Sequence, residues 1–178
     1  MDILESSVAY ALVRNVMLGN LLPMYVALKP KRHPIVEKYA TIQVADEIQK
    51  PDIDLLVYGQ NPKSPIVIYS CKTSLRERAG QTYRWKLLLD LASCTCPYIE
   101  RSQECPIHRY EISYEKLRPV KVGFITADFY REINNPQQQG MWGFFDYVYL
   151  AARDQVSGRV KYLSSIIDDL NTLYHAYV

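Results

Sequence analysis

The chain has 178 residues and a formal net charge of +2, and 48% of its residues are hydrophobic. This length and composition predict one compact domain over residues 1–178 and exclude a disordered chain. No apolar run approaches the roughly 20 residues of a membrane-spanning helix, and residues 1–20 lack the basic leader of a signal peptide. We therefore expect a cytoplasmic protein with no membrane partner. The small net charge does not by itself indicate a nucleic-acid partner.

The first predicted elements are a helix and a loop-rich connection. Apolar residues recur at helical spacing over residues 3–18, which predicts a helix there. The prolines that follow, Pro23, Pro30 and Pro34, predict a loop-rich stretch. Residues 35–48 fit either a short helix or a strand.

The clearest pattern in the chain is that of a β-hairpin. Residues 53–58 and 66–71 are short apolar segments that predict strands, and residues 59–65, rich in Gly, Asn, Pro and Ser, predict the turn between them. Because the strands carry few charges, we expect them to lie in a sheet that is covered on both faces.

Helices and strands alternate in the second half of the chain. Ser74 and Glu77 have the spacing of a capping box, which predicts a helix from Ser74 to about Leu91. The further predicted elements are strands over residues 120–126 and 144–150, a polar loop over residues 136–140 and an amphipathic helix over residues 160–177. The order α, β, β, α, β, β, α predicts an α/β fold with a central mixed sheet flanked by helices.

Basic residues gather in two stretches of the chain. The first contains Lys29, Lys31, Arg32 and His33, and the second contains Lys72, Arg76, Arg78, Arg84 and Lys86. Such stretches fit either contacts with nucleic acid or ordinary solvated faces, and both interpretations stay open here.

The predicted hairpin places acidic and basic groups on one face. Asp52 and Asp54 are two residues apart, so in a strand both carboxylates point to the same side, and the same holds for Ser70 and Lys72. Pairing across the short turn brings Lys72 beside the aspartates. Carboxylates can hold Mg²⁺ at a phosphate, and a neighbouring lysine can orient or deprotonate a water and offset negative charge. The residues therefore predict phosphodiester hydrolysis, against the alternative of an exposed turn with ordinary charges.

These residues resemble a known nuclease signature. Pro51-Asp-Ile-Asp-Leu-Leu-Val57, followed by Ile68-Tyr-Ser-Cys-Lys72, is similar to the PD-(D/E)xK signature, with Ser70 in place of the usual acid. This Ser-x-Lys variant resembles the type II restriction endonucleases that read CCGG or CC-N-GG sites. The resemblance implies a restriction-endonuclease-like α/β fold, Mg²⁺ as cofactor, double-stranded DNA as substrate and a homodimer. It is sharp over residues 51–86 and only topological elsewhere.

The resemblance also implies a base-reading cluster after the predicted catalytic lysine. In the enzymes that the chain resembles, an Arg-acid-Arg cluster just after the lysine enters the major groove, and the matching positions are Arg76, Glu77 and Arg78. Arginine forks bind guanine O6 and N7, and a carboxylate can accept from cytosine N4, so the cluster suits adjacent G·C pairs. The alternative is that Glu77 only caps a helix and the arginines are solvated.

The acid replaced by Ser70 has several candidate substitutes. Relatives with Ser-x-Lys carry a glutamate on the following helix, but here Trp85 and Lys86 occupy that region. The candidates are Asp52 and Asp54 acting together, Asp90, Glu37 or Glu47, or Gln81 as a neutral ligand or water-orienting group near the DNA. The sequence does not choose among them, and a site that needs a partner subunit also stays open.

A cysteine-rich segment spans residues 92–110 and is predicted to be irregular. Cys94, Cys96, Cys105 and His108 could complete a tetrahedral structural Zn²⁺ site that clips a loop near the DNA. Their spacing is not that of a standard zinc finger, so free thiols or a disulfide remain alternatives.

The leading hypothesis is a single nuclease domain that acts as a homodimeric type II restriction endonuclease. Each subunit would cut one strand of a palindromic, G/C-containing duplex in the presence of Mg²⁺, because a two-fold protein matches a two-fold site. The alternatives are a repair or recombination nuclease, a subunit of a heteromeric restriction enzyme, and a non-catalytic DNA-binding module that has lost an acid.

Overall fold

A computed structural model describes residues 3–73, 79–93, 109–114, 118–128, 133–151 and 158–178. In these ranges a mixed six-stranded sheet lies between two layers of helices, and a three-stranded antiparallel sheet stands beside it. The predicted α/β class, with a central mixed sheet flanked by helices, is confirmed. None of the helices in the described ranges is long and apolar enough to cross a membrane.

The elements alternate along the chain. The helices are α1 (Ile3–Met17), α2 (Pro34–Tyr39), α3 (Ala79–Ala92), α4 (Pro136–Trp142) and α5 (Ile166–His175), and a 3-10 turn over Leu163–Ser165 precedes α5. The strands are β1 (Met24–Leu28), β2 (Ile42–Val44), β3 (Glu47–Gln49), β4 (Leu55–Gly59), β5 (Ile66–Lys72), β6 (Ile112–Ser113), β7 (Val120–Thr126), β8 (Tyr147–Leu150) and β9 (Val160–Tyr162).

The large sheet has the order β1-β4-β5-β7-β8-β9. The hairpin strands β4 and β5 pair antiparallel with Leu55 opposite Tyr69, and β1 pairs antiparallel with β4. The remaining neighbours are parallel, with Lys72 beside Thr126. The parallel strands β5 and β7 need a crossover connection, and α3 and β6 lie in the part of the chain that makes it.

Both faces of the large sheet are covered. Ile66 and Ile68 of β5 pack with the layer that contains α2, α3 and α4, whereas Val67 and Tyr69 pack with α1 and α5. Every residue of β5 is buried. The expectation of a hairpin covered on both faces is confirmed, and it follows from the side-chain alternation of a strand between two layers.

Gly123 on β7 allows the sheet to accommodate a buried aromatic ring. Gly123 is the parallel neighbour of Tyr69, and a Cβ at this position would meet the Tyr69 ring far inside van der Waals distance. Tyr69 is fully buried, so its ring has little room to move aside. A residue without a side chain is therefore required here for packing.

Three sequence expectations about local structure are wrong. Met24–Leu28 lies in the stretch predicted to be loop, but it forms strand β1 because β4 offers it a partner edge. The predicted polar loop over residues 136–140 is the start of α4, where Pro136 occupies the first turn, a position that tolerates proline. Residues 160–162 were predicted to be helical and instead form β9, because they pair with β8.

Other expectations are refined or lie partly outside the described residues. Residues 35–48 contain both alternatives, since α2 is followed by the short strands β2 and β3. The strand predicted over residues 144–150 begins only at Tyr147. The predicted start of a helix at Ser74 lies outside the described residues, where α3 is described from Ala79 onwards.

Candidate active site

The antiparallel hairpin brings the predicted acidic and basic residues together at one end of the sheet. Asp54 immediately precedes β4 and Lys72 is the last residue of β5. Because Leu55 pairs with Tyr69, Asp54 lies beside Ser70. Lys72 Nζ lies 2.8 Å from Asp54 Oδ2 and 2.9 Å from Asp52 Oδ2. The strand predicted over residues 53–58 begins at Leu55, so both aspartates lie just before it. The pairing of β4 with β5, continued by the bond from the Asp54 amide to Tyr69, brings these residues together although they are nearly twenty positions apart in the sequence.

Asp54 is held from several directions. Its Oδ2 accepts hydrogen bonds from the backbone N–H of Cys71 at 2.8 Å and, at 3.5 Å, from the Ser70 hydroxyl. Its own backbone N–H donates to the Tyr69 carbonyl at 3.0 Å. In the described residues the side-chain hydrogen bonds of Asp54 all end on Oδ2, so Oδ1 has no hydrogen-bond partner among them.

The segment before α2 also supports Asp54. The backbone N–H of Lys29 donates to the Asp54 carbonyl at 2.8 Å. The Lys29 ammonium in turn forms a 2.9 Å ion pair with Glu5 of α1, whose side chain is buried. The backbone of Asp54 is therefore fixed on one side by β5 and on the other by a residue tied to the N-terminal helix.

Lys72 is a buried ammonium with two anionic partners. Burial alone would lower the pKa of Lys72, but hydrogen bonds and Coulombic attraction from Asp54 and Asp52 outweigh it and raise the pKa above its usual value. The lysine is therefore charged at neutral pH in this arrangement. It can donate hydrogen bonds and balance negative charge.

The donor set fits Mg²⁺ in its usual protein coordination. The side chains of Asp52 and Asp54 are 25% and 16% exposed, so both carboxylates remain open to solvent at this end of the sheet. Among the described residues, no group of three or more His, Cys, Asp or Glu side chains is placed to hold a metal. Mg²⁺ commonly binds one or two carboxylates together with water and substrate phosphates, so two aspartates suffice when DNA supplies further oxygens.

A basic cleft of about 460 Å³ opens beside Asp52. It is lined by Lys31 from the segment before α2, by Lys50 just before the aspartates, and by Gln81 and Arg84 of α3. The part of the chain that the structure describes gives neither Lys31 nor Arg84 a carboxylate partner within ion-pair distance. The cleft thus presents positive charge next to the acidic pair.

The candidate substitutes for the missing acid have different surroundings in the structure. Gln81 lines the same cleft as Asp52. Glu37 forms a 3.1 Å ion pair with the cleft residue Lys50. Glu47 is exposed on β3 and accepts a hydrogen bond from Gln49.

Asp90 lies apart from the aspartate pair. It forms an ion pair with Lys86, and Lys86 Nζ also lies 3.8 Å from Asp146 Oδ2. Asp146 directly precedes β8, which runs parallel to β5, so this group lies at the end of the sheet opposite to Lys72. Asp90 is therefore not brought to the acidic pair in this structure.

Two groups of predicted residues lie outside the described ranges. They are the base-reading cluster Arg76, Glu77 and Arg78, and the zinc candidates Cys94, Cys96, Cys105 and His108. The roles predicted for both groups stay predictions. Of the predicted site residues, the structure brings together Asp52, Asp54, Ser70 and Lys72, with Gln81 in the adjoining cleft.

Lys50 is a charged residue of the cleft that the sequence did not single out. Lys31 and Arg84 belong to the two basic stretches, but nothing in the sequence joined them to one surface. The available signal for Lys50 was its position two residues before Asp52, since residues next to a catalytic strand end often reach the substrate.

The fold and this site together fit a nuclease of the restriction-endonuclease-like class. A family model described as BsaWI restriction endonuclease type 2 matches residues 32–174, well over half of the chain. The protein belongs to this family of type II restriction endonucleases, and membership supports endonuclease activity on DNA. A comparison with curated proteins gave no match.

Proposed function

We propose that the protein is a Mg²⁺-dependent endonuclease that hydrolyses double-stranded DNA at a short, G/C-containing site. The observation that carries this proposal is the position of Lys72 Nζ, within 2.9 Å of both Asp52 and Asp54 at a solvent-open end of the sheet. Two accessible carboxylates can hold a divalent cation, and the buried lysine between them can balance the negative charge of a phosphodiester.

Each residue of the set has a distinct role in the proposed reaction. Asp52 and Asp54 would hold Mg²⁺, which supplies charge stabilisation at the scissile phosphate and lowers the pKa of a water. Lys72, as an ammonium, offsets the negative charge that develops on the phosphate and orients the attacking water. Ser70 and the Cys71 amide fix the Asp54 carboxylate, so the site is organised before DNA arrives.

Sequence specificity is proposed to come from the segment of the chain between β5 and α3. Arg76, Glu77 and Arg78 directly follow the catalytic strand and would read G·C pairs in the major groove, as in CCGG or CC-N-GG sites. A palindromic site would be bound by a homodimer, with one strand cut by each subunit.

A zinc clip is proposed for the cysteine-rich segment. Three thiolates and an imidazole are a complete tetrahedral set for a structural Zn²⁺ ion. The proposed ligands are Cys94, Cys96, Cys105 and His108. Such a clip would order a loop near the DNA and would take no part in hydrolysis.

The test is cleavage of a plasmid with and without Mg²⁺, followed by sequencing of the fragment ends. We expect discrete fragments from the wild type and their loss in Asp54→Ala and Lys72→Ala. Lys121→Ala is the matched control, because Lys121 also pairs with an aspartate but lies at the opposite end of the sheet. Fragment ends that share one short palindrome would support the proposal.

Other outcomes would point to the alternative functions. Binding of duplex DNA by the wild type without cutting would replace the proposal with a non-catalytic module. Cutting at branched structures with no common sequence at the ends would indicate a repair or recombination nuclease.

A further inference from the structure

The cleft beside Asp52 has charges that the proposed hydrolysis does not use. It contains Lys31, Lys50 and Arg84, whereas its carboxylate is Asp52, which already pairs with Lys72. These cations come from three separate parts of the chain, so their convergence is a product of the fold. A cleft of about 460 Å³ also falls within the usual size range of ligand sites, roughly 300–1,000 Å³.

The three cations differ in how free they are. Lys31 and Arg84 are exposed, and in the ranges that the structure describes they lack a carboxylate within ion-pair distance. Lys50 pairs with Glu37, but both side chains of that pair are at least 42% exposed, and exposed ion pairs are weak. Lys29 and Lys86, which belong to the same basic stretches, are instead occupied by Glu5 and Asp90. The ion pairs thus separate the basic residues that already have a carboxylate partner from those that can bind a phosphate.

We propose that Lys31 and Arg84 form a phosphate subsite for the DNA backbone, next to the phosphate that is cut. Arginine binds phosphate with a planar fork and lysine binds it as a point charge, so the pair can grip one strand without reading its sequence. The inference rests on the proposed endonuclease function and extends it, because it names the contacts that set the position of the strand against Asp52 and Asp54.

A secondary consequence concerns Lys50. A phosphate in the cleft can replace Glu37 as the partner of Lys50, since their ion pair is open to water. Removing the Glu37 charge would make Lys50 available before DNA binds. The variant Glu37→Gln should therefore gain a contact, whereas Lys31→Ala and Arg84→Ala should each lose one.

The test measures binding of a duplex with the cleavage site at several salt concentrations, without divalent cations. The slope of log K against log[salt] is negative, and each lost phosphate contact makes it shallower by about 0.9. This corresponds to roughly eight-fold weaker binding at about 0.1 M salt. We expect this change in Lys31→Ala and in Arg84→Ala, about twice the slope change in the double variant, and a steeper slope in Glu37→Gln. Lys63→Ala is the control, because Lys63 is an exposed cation in the hairpin turn at the other end of the sheet.

The outcomes separate the subsite from the function. A wild type that cuts DNA, together with slopes in Lys31→Ala and Arg84→Ala equal to that of Lys63→Ala, would overturn the subsite alone. A wild type that neither binds nor cuts duplex DNA would overturn both. A shift in the sequence that the single variants cut would also contradict the proposal, because backbone contacts carry no direct base readout.

Discussion

Replacing Lys72 with methionine tests the charge arrangement of the site through protein stability. Methionine keeps most of the buried volume but leaves Asp52 and Asp54 without their shared cation. Both Oδ2 atoms lie within 2.9 Å of Nζ, so they are less than about 6 Å apart, a separation at which like charges interact strongly. The substitution should therefore destabilise the fold as well as abolish cleavage.

The size of the loss follows from burial. Breaking a fully buried ion pair costs about 3–5 kcal/mol, and an exposed pair is worth about 0–1 kcal/mol. Lys72 is 5% exposed, but its partners are partly open to water, so we expect a loss of about 2–3 kcal/mol at neutral pH. With an m-value of roughly 2 kcal/mol/M, the urea midpoint should fall by about 1 M.

The pH dependence gives a second, independent check. Since the pKa of Lys72 is raised in the folded state, the pair contributes fully below the unfolded value of about 10.4 and is lost only as pH rises through the higher folded value. The stability difference between the wild type and Lys72→Met should therefore be constant from about pH 7 to pH 10 and shrink above that. Urea unfolding of both proteins across this range measures it, and the titration of other groups cancels in the difference.

A specific result would refute this reasoning. If the difference disappeared between about pH 7 and pH 9, Lys72 would be losing its proton early, and the ion pairs with both aspartates could not be its dominant interactions. Lys121→Met is the comparison for an exposed lysine–aspartate pair and should change stability by no more than about 1 kcal/mol.

Three further predictions concern packing, base reading and metal binding. Gly123→Ala should lower the free energy of unfolding by about 1–3 kcal/mol, because the new methyl group meets the buried Tyr69 ring, and urea unfolding measures the change. Arg76→Ala should weaken binding to the cleavage site by about 1–3 kcal/mol relative to unrelated duplex, measured by competition between the two. Freshly purified protein should contain Zn²⁺ by elemental analysis, and a strong chelator should increase proteolysis within residues 92–110.

Each of these has a contrary result. A stable Gly123→Ala protein would mean that the Tyr69 ring can move. Equal losses of Arg76→Ala on specific and unrelated DNA would make Arg76 a backbone contact. Protein purified without zinc, and insensitive to chelators, would leave the cysteines as thiols or a disulfide.

The hairpin and its acidic pair were predictable because local rules determine them. A short turn limits the pairing of β4 and β5, and strand alternation then decides which residues share a face. The sequence alone therefore predicts that Asp54, Ser70 and Lys72 lie close together. Helix α1 also lies where apolar spacing indicated, and α3 covers most of the range predicted from Ser74 to about Leu91.

The missed elements depend on partners far away in the sequence. Strand β1 forms because β4 accepts it as an edge neighbour, and β9 forms because β8 does. Strand β1 lies far from β4 in the sequence, and β9 runs parallel to β8, so neither pairing is that of a local hairpin. The basic cleft was missed for the same reason, because Lys31, Lys50 and Arg84 meet only when α3 packs beside the smaller sheet.

The hydrogen bond from Lys29 to the Asp54 carbonyl bears on how the protein can be shortened. The family match begins at residue 32, after both α1 and β1. A protein trimmed to the matched residues would lose the strand that covers β4 and the amide that holds Asp54. Strand β4 would then be the exposed edge of the sheet and could pair with strands of other chains. Helix α1 and strand β1 therefore belong with the folded site, although they precede the residues that the family model matches.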